Sequence, residues 1–76
     1  MKRDKHLRRL NDHSLSRERE YAWRQCINAA NRLQKAASDM INREQHLPIW
    51  LLQREYADHL AWLEIICFEI EFRKIP

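Results

Sequence analysis

The sequence predicts an all-α chain: an antiparallel helical hairpin behind a flexible basic N-terminal arm, expected to dimerise into a four-helix bundle. Three observations lead there. Two segments carry apolar residues three and four apart, Trp23, Cys26, Ala30, Leu33, Ala37 and Met40 in the first, and Leu52, Tyr56, Leu60, Leu63, Cys67 and Ile70 in the second. The chain has no Gly, and Pro48 is its only interior Pro, so few positions break a long helix. The second segment also carries an extra stripe, Ala61, Ile65, Phe68 and Phe72, with no counterpart elsewhere in the chain.

Residues 1–15 read as the arm and residues 16–76 as the hairpin. The arm is dense in charge and has no sustained apolar period, with only Leu7 and Leu10 to support a turn. Ser14 or Ser16 is a suitable N-cap for a first helix over about 17–44, with Glu18 and Glu20 near the positive end of its dipole. Its polar stripe, Arg24, Asn28, Arg32, Lys35, Asp39 and Asn42, lies opposite the apolar one, and Glu20–Arg24 and Asp39–Arg43 are spaced as i,i+4 ion pairs. Pro48 suits the first turn of a new helix and disfavours helical geometry at Leu47, so a short turn spans Gln45–Leu47. A second helix follows over about 48–73.

Residues 60–72, LAWLEIICFEIEF, carry a competing signal, because Phe68, Ile70 and Phe72 alternate with Glu69, Glu71 and Arg73 as in a strand. The helical register running from Ile49 to Ile70 favours the helix, and a strand would need a partner that only a second copy offers. Folding the chain back near His46 sets Leu33 opposite Leu60, Ala30 opposite Leu63, Cys26 opposite Cys67 and Trp23 opposite Ile70. Small residues then face large ones along the seam.

With 76 residues the chain is one small domain, near the lower limit for a self-sufficient core. Each helix of a lone hairpin has one neighbour against which to hide its apolar face, so a homodimer through the second helix is the expected remedy. The absence of Gly excludes glycine-rich phosphate loops and dinucleotide fingerprints. No uncharged run approaches the ~20 residues of a membrane span, and the N-terminus lacks the apolar stretch of a signal peptide. A membrane-surface role is disfavoured by Asp58, Glu64, Glu69 and Glu71 on the outer face of the second helix. Two cysteines without CxxC spacing fit a reduced, cytoplasmic chain.

No pattern points to a cofactor, a small-molecule substrate or catalysis. His6, His13, His46 and His59 show no paired metal-ligand spacing. Glu55, Asp58 and His59 cluster on one stretch of helix without an enclosing pocket. Cys26 and Cys67 read as packing thiols, with a disulfide the alternative.

Binding is the function class that remains. Trp50, Leu51, Ala61, Trp62, Ile65, Phe68 and Phe72 form an apolar, aromatic-rich surface off the seam, the composition of a protein interface. The net charge of +3 is unevenly spread: residues 1–17 carry +4 and the remainder −1. Lys2, Arg3, Lys5, Arg8 and Arg9 are therefore candidates for contact with nucleic acid, or with an acidic patch on a protein. The arm has no interleaved aromatics for stacking on bases.

The stretch LPIWLLQREYADHLAWLEI, residues 47–65, resembles the small helical early-region proteins of temperate, lambda-like phages. That resemblance implies a non-enzymatic accessory protein modulating host replication, transcription or phage development, acting in the host cytoplasm. A second local similarity, around REQHLPIW and Ala57–Ala61, is to the theta subunit of bacterial DNA polymerase III, and implies a polymerase accessory subunit. The long first helix and the basic arm depart from theta. The reading is thus a regulatory protein acting by protein–protein binding, with a nucleic-acid-binding module as the alternative.

Overall fold

The computed structural model describes residues 3–41 and 49–75. Three helices follow in order: α1 (Lys5–Arg8), α2 (Asp12–Ile41) and α3 (Ile49–Arg73). The two long helices pack together as the hairpin, and α1 touches α3. The expected turn at Gln45–Leu47, the end of the first helix near Glu44, Pro48, the Asp39–Arg43 pair and the side chain of Met40 lie outside the described residues.

α2 begins several residues before the expected start. Asn11 is its cap: the Asn11 side-chain oxygen accepts from the Ser14 amide at 2.7 Å, and its carbonyl accepts from Leu15 N–H at 2.9 Å. Leu10 and Leu15 flank that cap as a hydrophobic staple, Leu10 packing against the cluster that contains the fully buried Leu15. This arrangement outcompetes Ser14 and Ser16, because only Asn11 places an apolar residue on each side of the cap. The Glu20–Arg24 pair forms as its spacing implies, at 2.7 Å on the exposed face.

The segment expected to be a flexible arm is packed. Asp4 caps α1, accepting the Leu7 amide at 3.0 Å, and Leu7 is wholly buried among Leu15, Ile66 and Ile70. Burial of this one leucine in the core cluster holds a four-residue helical turn that could not persist alone.

α3 is helical through Arg73, so the strand-like alternation of residues 68–72 does not set the structure there. Its end is a Schellman turn: Lys74 takes a left-handed conformation (φ 57°), Lys74 N–H donates to Glu71 O at 3.0 Å, and Ile75 N–H donates to Ile70 O at 3.2 Å. Ile75 packs back on the core cluster containing Ile70, the apolar contact that accompanies this turn. Glycine is the residue best suited to the Lys74 position, and the chain has none. Lys74→Gly should therefore raise stability by about 0.5–1 kcal/mol, read from the urea midpoint. An unchanged or lowered midpoint would show that the Lys74 conformation carries no strain.

The seam differs from expectation in rotation and in register. On α2 the buried positions are Leu15, Ala22, Cys26, Ala29 and Ala36, with Leu33 half-buried, whereas Trp23 is 56% exposed and Ala37 is exposed. On α3 they are Leu63, Ile66, Glu69 and Ile70, whereas Leu60 and Cys67 face outward. Both expected stripes are thus rotated by roughly 45° from the true contact line, at ~100° per residue. Along the axis, Arg32 pairs with Glu55, Trp62 Nε1 donates to Glu18 at 3.4 Å, and Arg73 meets Asp12 at 3.1 Å. These cross-links displace α3 by roughly two helical turns from a fold-back at His46.

The cause is a heptad ambiguity. Leu15, Ala22, Ala29 and Ala36 recur every seventh residue, so a slip of about one heptad again sets small residues against large ones. Docking of Leu7 beside Leu15 favours the observed register. The alanines let α3 approach closely and present Leu63, Ile66 and Ile70 to a tight seam. Cys26 and Cys67 are consequently not facing partners: both are free, Cys26 buried and Cys67 exposed. Burial pushes the Cys26 thiol up from its ordinary value, as for a packing thiol.

Candidate interaction surfaces

The hairpin has two unlike flanks. One is closed by α1 and by polar links between the long helices, Arg32–Glu55 and Trp62–Glu18. The other has no third layer among the described residues. The molecule measures 47 × 20 × 15 Å between Cα atoms, its length close to the ~45 Å of a 30-residue helix. A body this thin cannot hide a flank within itself.

On the open flank lies a groove of about 610 Å³, lined by His13, Ser16, Arg17, Arg19, Glu20 and Trp23 of α2 and by Leu63 and Cys67 of α3. The rotation of the seam explains its character. The apolar stripes of α2 and α3 overrun the contact line on the same side, leaving Trp23 (56% exposed) uncovered in the groove wall, and Ile27 (42%) and Leu60 (36%) exposed outside its lining. Trp23 and Leu60 are the residues that the sequence assigned to the seam.

The residues expected to form the interface are divided by the fold. Trp62 and Ile65 are half-buried and pack on the chain's own core. Phe68 is half-buried, and Trp50, Leu51 and Ala61 are exposed, Trp50 and Leu51 in the first turn of α3. Phe72 is 57% exposed, with the Arg3 guanidinium over its ring at 3.9 Å from the centroid.

That arginine belongs to a clasp on the closed flank. Glu69 is fully buried on α3, and its carboxylate accepts two bonds from Arg3, Nε at 2.8 Å and Nη2 at 2.6 Å. Arg73 Nε, one turn along α3, donates to it at 2.7 Å. Arg73 then bonds the Leu7 and Leu10 carbonyls at 2.8 and 2.7 Å, closing the C-terminal end of α1. Hydrogen bonds from Arg3, joined by those from Arg73 and by both positive charges, outweigh the burial acting against them. They hold the Glu69 carboxyl at about 2. Every buried side-chain nitrogen and oxygen among the described residues is hydrogen-bonded.

Sequence reasoning placed Glu69 on the outer face of α3 and missed its role. The available signal was Glu69 with Arg73 at i,i+4 on a face that also presents Ile66 and Ile70 to the core.

The basic residues of the N-terminal segment converge. Arg3, Lys5, Arg8 and Arg9 line one shallow depression, Lys5, Arg8 and Arg9 all exposed. Lys2 lies outside the described residues. Of the histidine and carboxylate cluster, Glu55 and His59 lie 3.8 Å apart on neighbouring turns of α3, while Glu55 also pairs with Arg32. Among the described residues no three His, Cys, Asp or Glu side chains are grouped to hold a metal ion, and no helix is long and apolar enough to cross a membrane.

The arrangement defines a small helical hairpin with one finished and one unfinished flank. No family model, curated protein or solved structure matches the chain.

Proposed function

We propose that the protein is a non-enzymatic regulatory or accessory module that works by protein–protein contact, with the open flank of the α2–α3 hairpin as its docking face. The supporting observation is the shared overrun of both apolar stripes onto that flank, with Trp23 exposed in the groove wall and Ile27 and Leu60 exposed beyond it. The first occupant is a second copy of the chain. A two-helix layer packed flank to flank on its own copy forms a four-helix bundle, which supplies the second layer that a 76-residue hairpin lacks. Arg17, Arg19 and Glu20 border the same groove, so a two-fold axis can set Glu20 of each copy near an arginine of the other.

In this reading the resemblance of residues 47–65 to small early proteins of temperate phages supplies the biological setting. The dimer then presents Trp50, Leu51 and Phe68 outward for a further protein partner.

Sedimentation across a wide concentration range tests the reading, with a dimer expected for the natural chain. Trp23→Glu and Leu60→Glu should each shift it to monomer by at least about tenfold in dissociation constant while helicity persists, the effect of losing an interface anchor. Trp50→Glu and Phe68→Glu should leave the dimer intact. A monomer at all concentrations, or a dimer broken by Trp50→Glu rather than Trp23→Glu, would refute the assignment of this flank.

A further inference from the structure

The clasp around Glu69 creates a surface that the sequence of the N-terminal segment does not reveal. Arg3 is fixed in three ways at once: its two bonds to Glu69 set the guanidinium edge, and its Cζ sits over the Phe72 ring. Its side chain nonetheless remains 30% exposed. A planar, delocalised cation is thereby held over an aromatic ring, 3.9 Å from its centre, at the protein surface. Three further cations, Lys5, Arg8 and Arg9, border the same depression, and none has an acidic partner among the described residues.

Their placement follows from the fold. α1 is a single turn, so Lys5, Arg8 and Arg9 can ring its exposed side while Leu7 is driven into the core. Arg73 occupies the carbonyls of Leu7 and Leu10. Asp4 is engaged as the α1 cap, and Glu69 is buried beneath Arg3. The solvent side of the depression is therefore left to positive charge.

We infer that the depression formed by Arg3, Lys5, Arg8 and Arg9 beside Phe72 is a binding site for single-stranded nucleic acid. Lys5, Arg8 and Arg9 take the phosphates, and the fixed Arg3–Phe72 stack is the platform for a base. Flexible surface cations alone would serve any polyanion. The immobilised guanidinium plane on an aromatic ring is the feature that distinguishes a base-bearing strand, because unpaired bases stack on arginine planes and aromatic rings. The aromatic component that the N-terminal segment lacks is supplied by α3, through the contact of Arg3 with Phe72. This site lies on the closed flank and goes beyond the protein-docking role of the open one.

Fluorescence anisotropy with the full chain and a labelled oligo(dT) of about 12 nucleotides, within the usual ~4–16-nucleotide site range, tests the inference across a salt series. The oligonucleotide should bind at least about tenfold more tightly than inorganic polyphosphate of equal charge, the difference representing stacking. The triple variant K5S/R8S/R9S, altered only at exposed side chains, should bind at least about tenfold more weakly. Its salt dependence should be shallower by about 2, at ~0.7 per lost phosphate contact. Circular dichroism of the variant should match that of the natural chain. Equal affinity for polyphosphate and oligonucleotide, preferential capture of acidic phospholipid vesicles, or unaltered binding by the triple variant would each overturn it.

Discussion

Removing residues 1–10 should cost the protein most of its stability. An unanchored tail could be cut without consequence, but Leu7 is wholly buried and touches the same cluster as Leu15, Ile66 and Ile70. Loss of one such leucine with incomplete collapse of its site costs about 2–5 kcal/mol. The deletion also removes Arg3 from Glu69, and the Leu7 and Leu10 carbonyls from Arg73. Small domains have only about 5–15 kcal/mol in total, and a chain of this length belongs at the low end. Thermal and urea unfolding followed by circular dichroism should show a truncated chain with a broad transition or none, and Leu7→Ala with a midpoint far below that of the natural chain. Equal midpoints for full and truncated chains would mean that the segment does not contribute to the fold. Truncation therefore unfolds the chain and cannot assign a function to the basic residues. Charge substitutions at Lys5, Arg8 and Arg9 avoid the problem because those side chains point to solvent.

The helical class, the hairpin and the extent of α3 were legible from apolar spacing and from the lack of glycine. The seam itself was not. Apolar stripes on α2 and α3 are wider than one helix contact can cover, so spacing alone locates the stripe and leaves its centre undetermined by about half a residue's rotation. The sevenfold recurrence of Leu15, Ala22, Ala29 and Ala36 adds a second freedom, a slide of a heptad along the axis. Both freedoms are removed by residues that pattern reading sets aside. Leu7 joins Leu15 of α2 with Ile66 and Ile70 of α3 in one cluster, and Glu69, an apparent surface carboxylate, lies on the inward face of α3 and engages Arg3 from the far end of the chain. Trp23 and Leu60 have the spacing of seam residues and are left outside, as expected for a flank shaped to meet another layer.

Glu69→Gln should be the most damaging substitution of a single polar side chain, and its effect should depend on pH in a defined direction. In the natural chain the carboxylate is buried between two arginines and satisfies both. The amide keeps the shape, removes the charge and leaves two guanidinium groups facing a weak acceptor. Breaking one side of such a network leaves the two arginines held around an uncharged amide, with only part of their surface open to water. The loss near neutral pH should be of the order of 2–3 kcal/mol. For the sign, the Glu69 carboxyl titrates at about 2 in the folded chain, below its ordinary value of 4.5. The folded state therefore binds its proton less readily than the unfolded one, and the unfolded state takes up protons first as pH falls. The stabilisation is complete above pH 4.5 and is lost progressively on going down to pH 2. Urea midpoints measured from pH 7 to pH 2 should fall steeply for the natural chain below that point and more shallowly for Glu69→Gln, the two curves converging at the acid end. Arg3→Ala combined with Glu69→Gln should cost less than the two single losses added together, the mark of a shared interaction. Parallel pH curves, or strict additivity, would show that Glu69 and Arg3 act independently and that α1 is held by Leu7 alone.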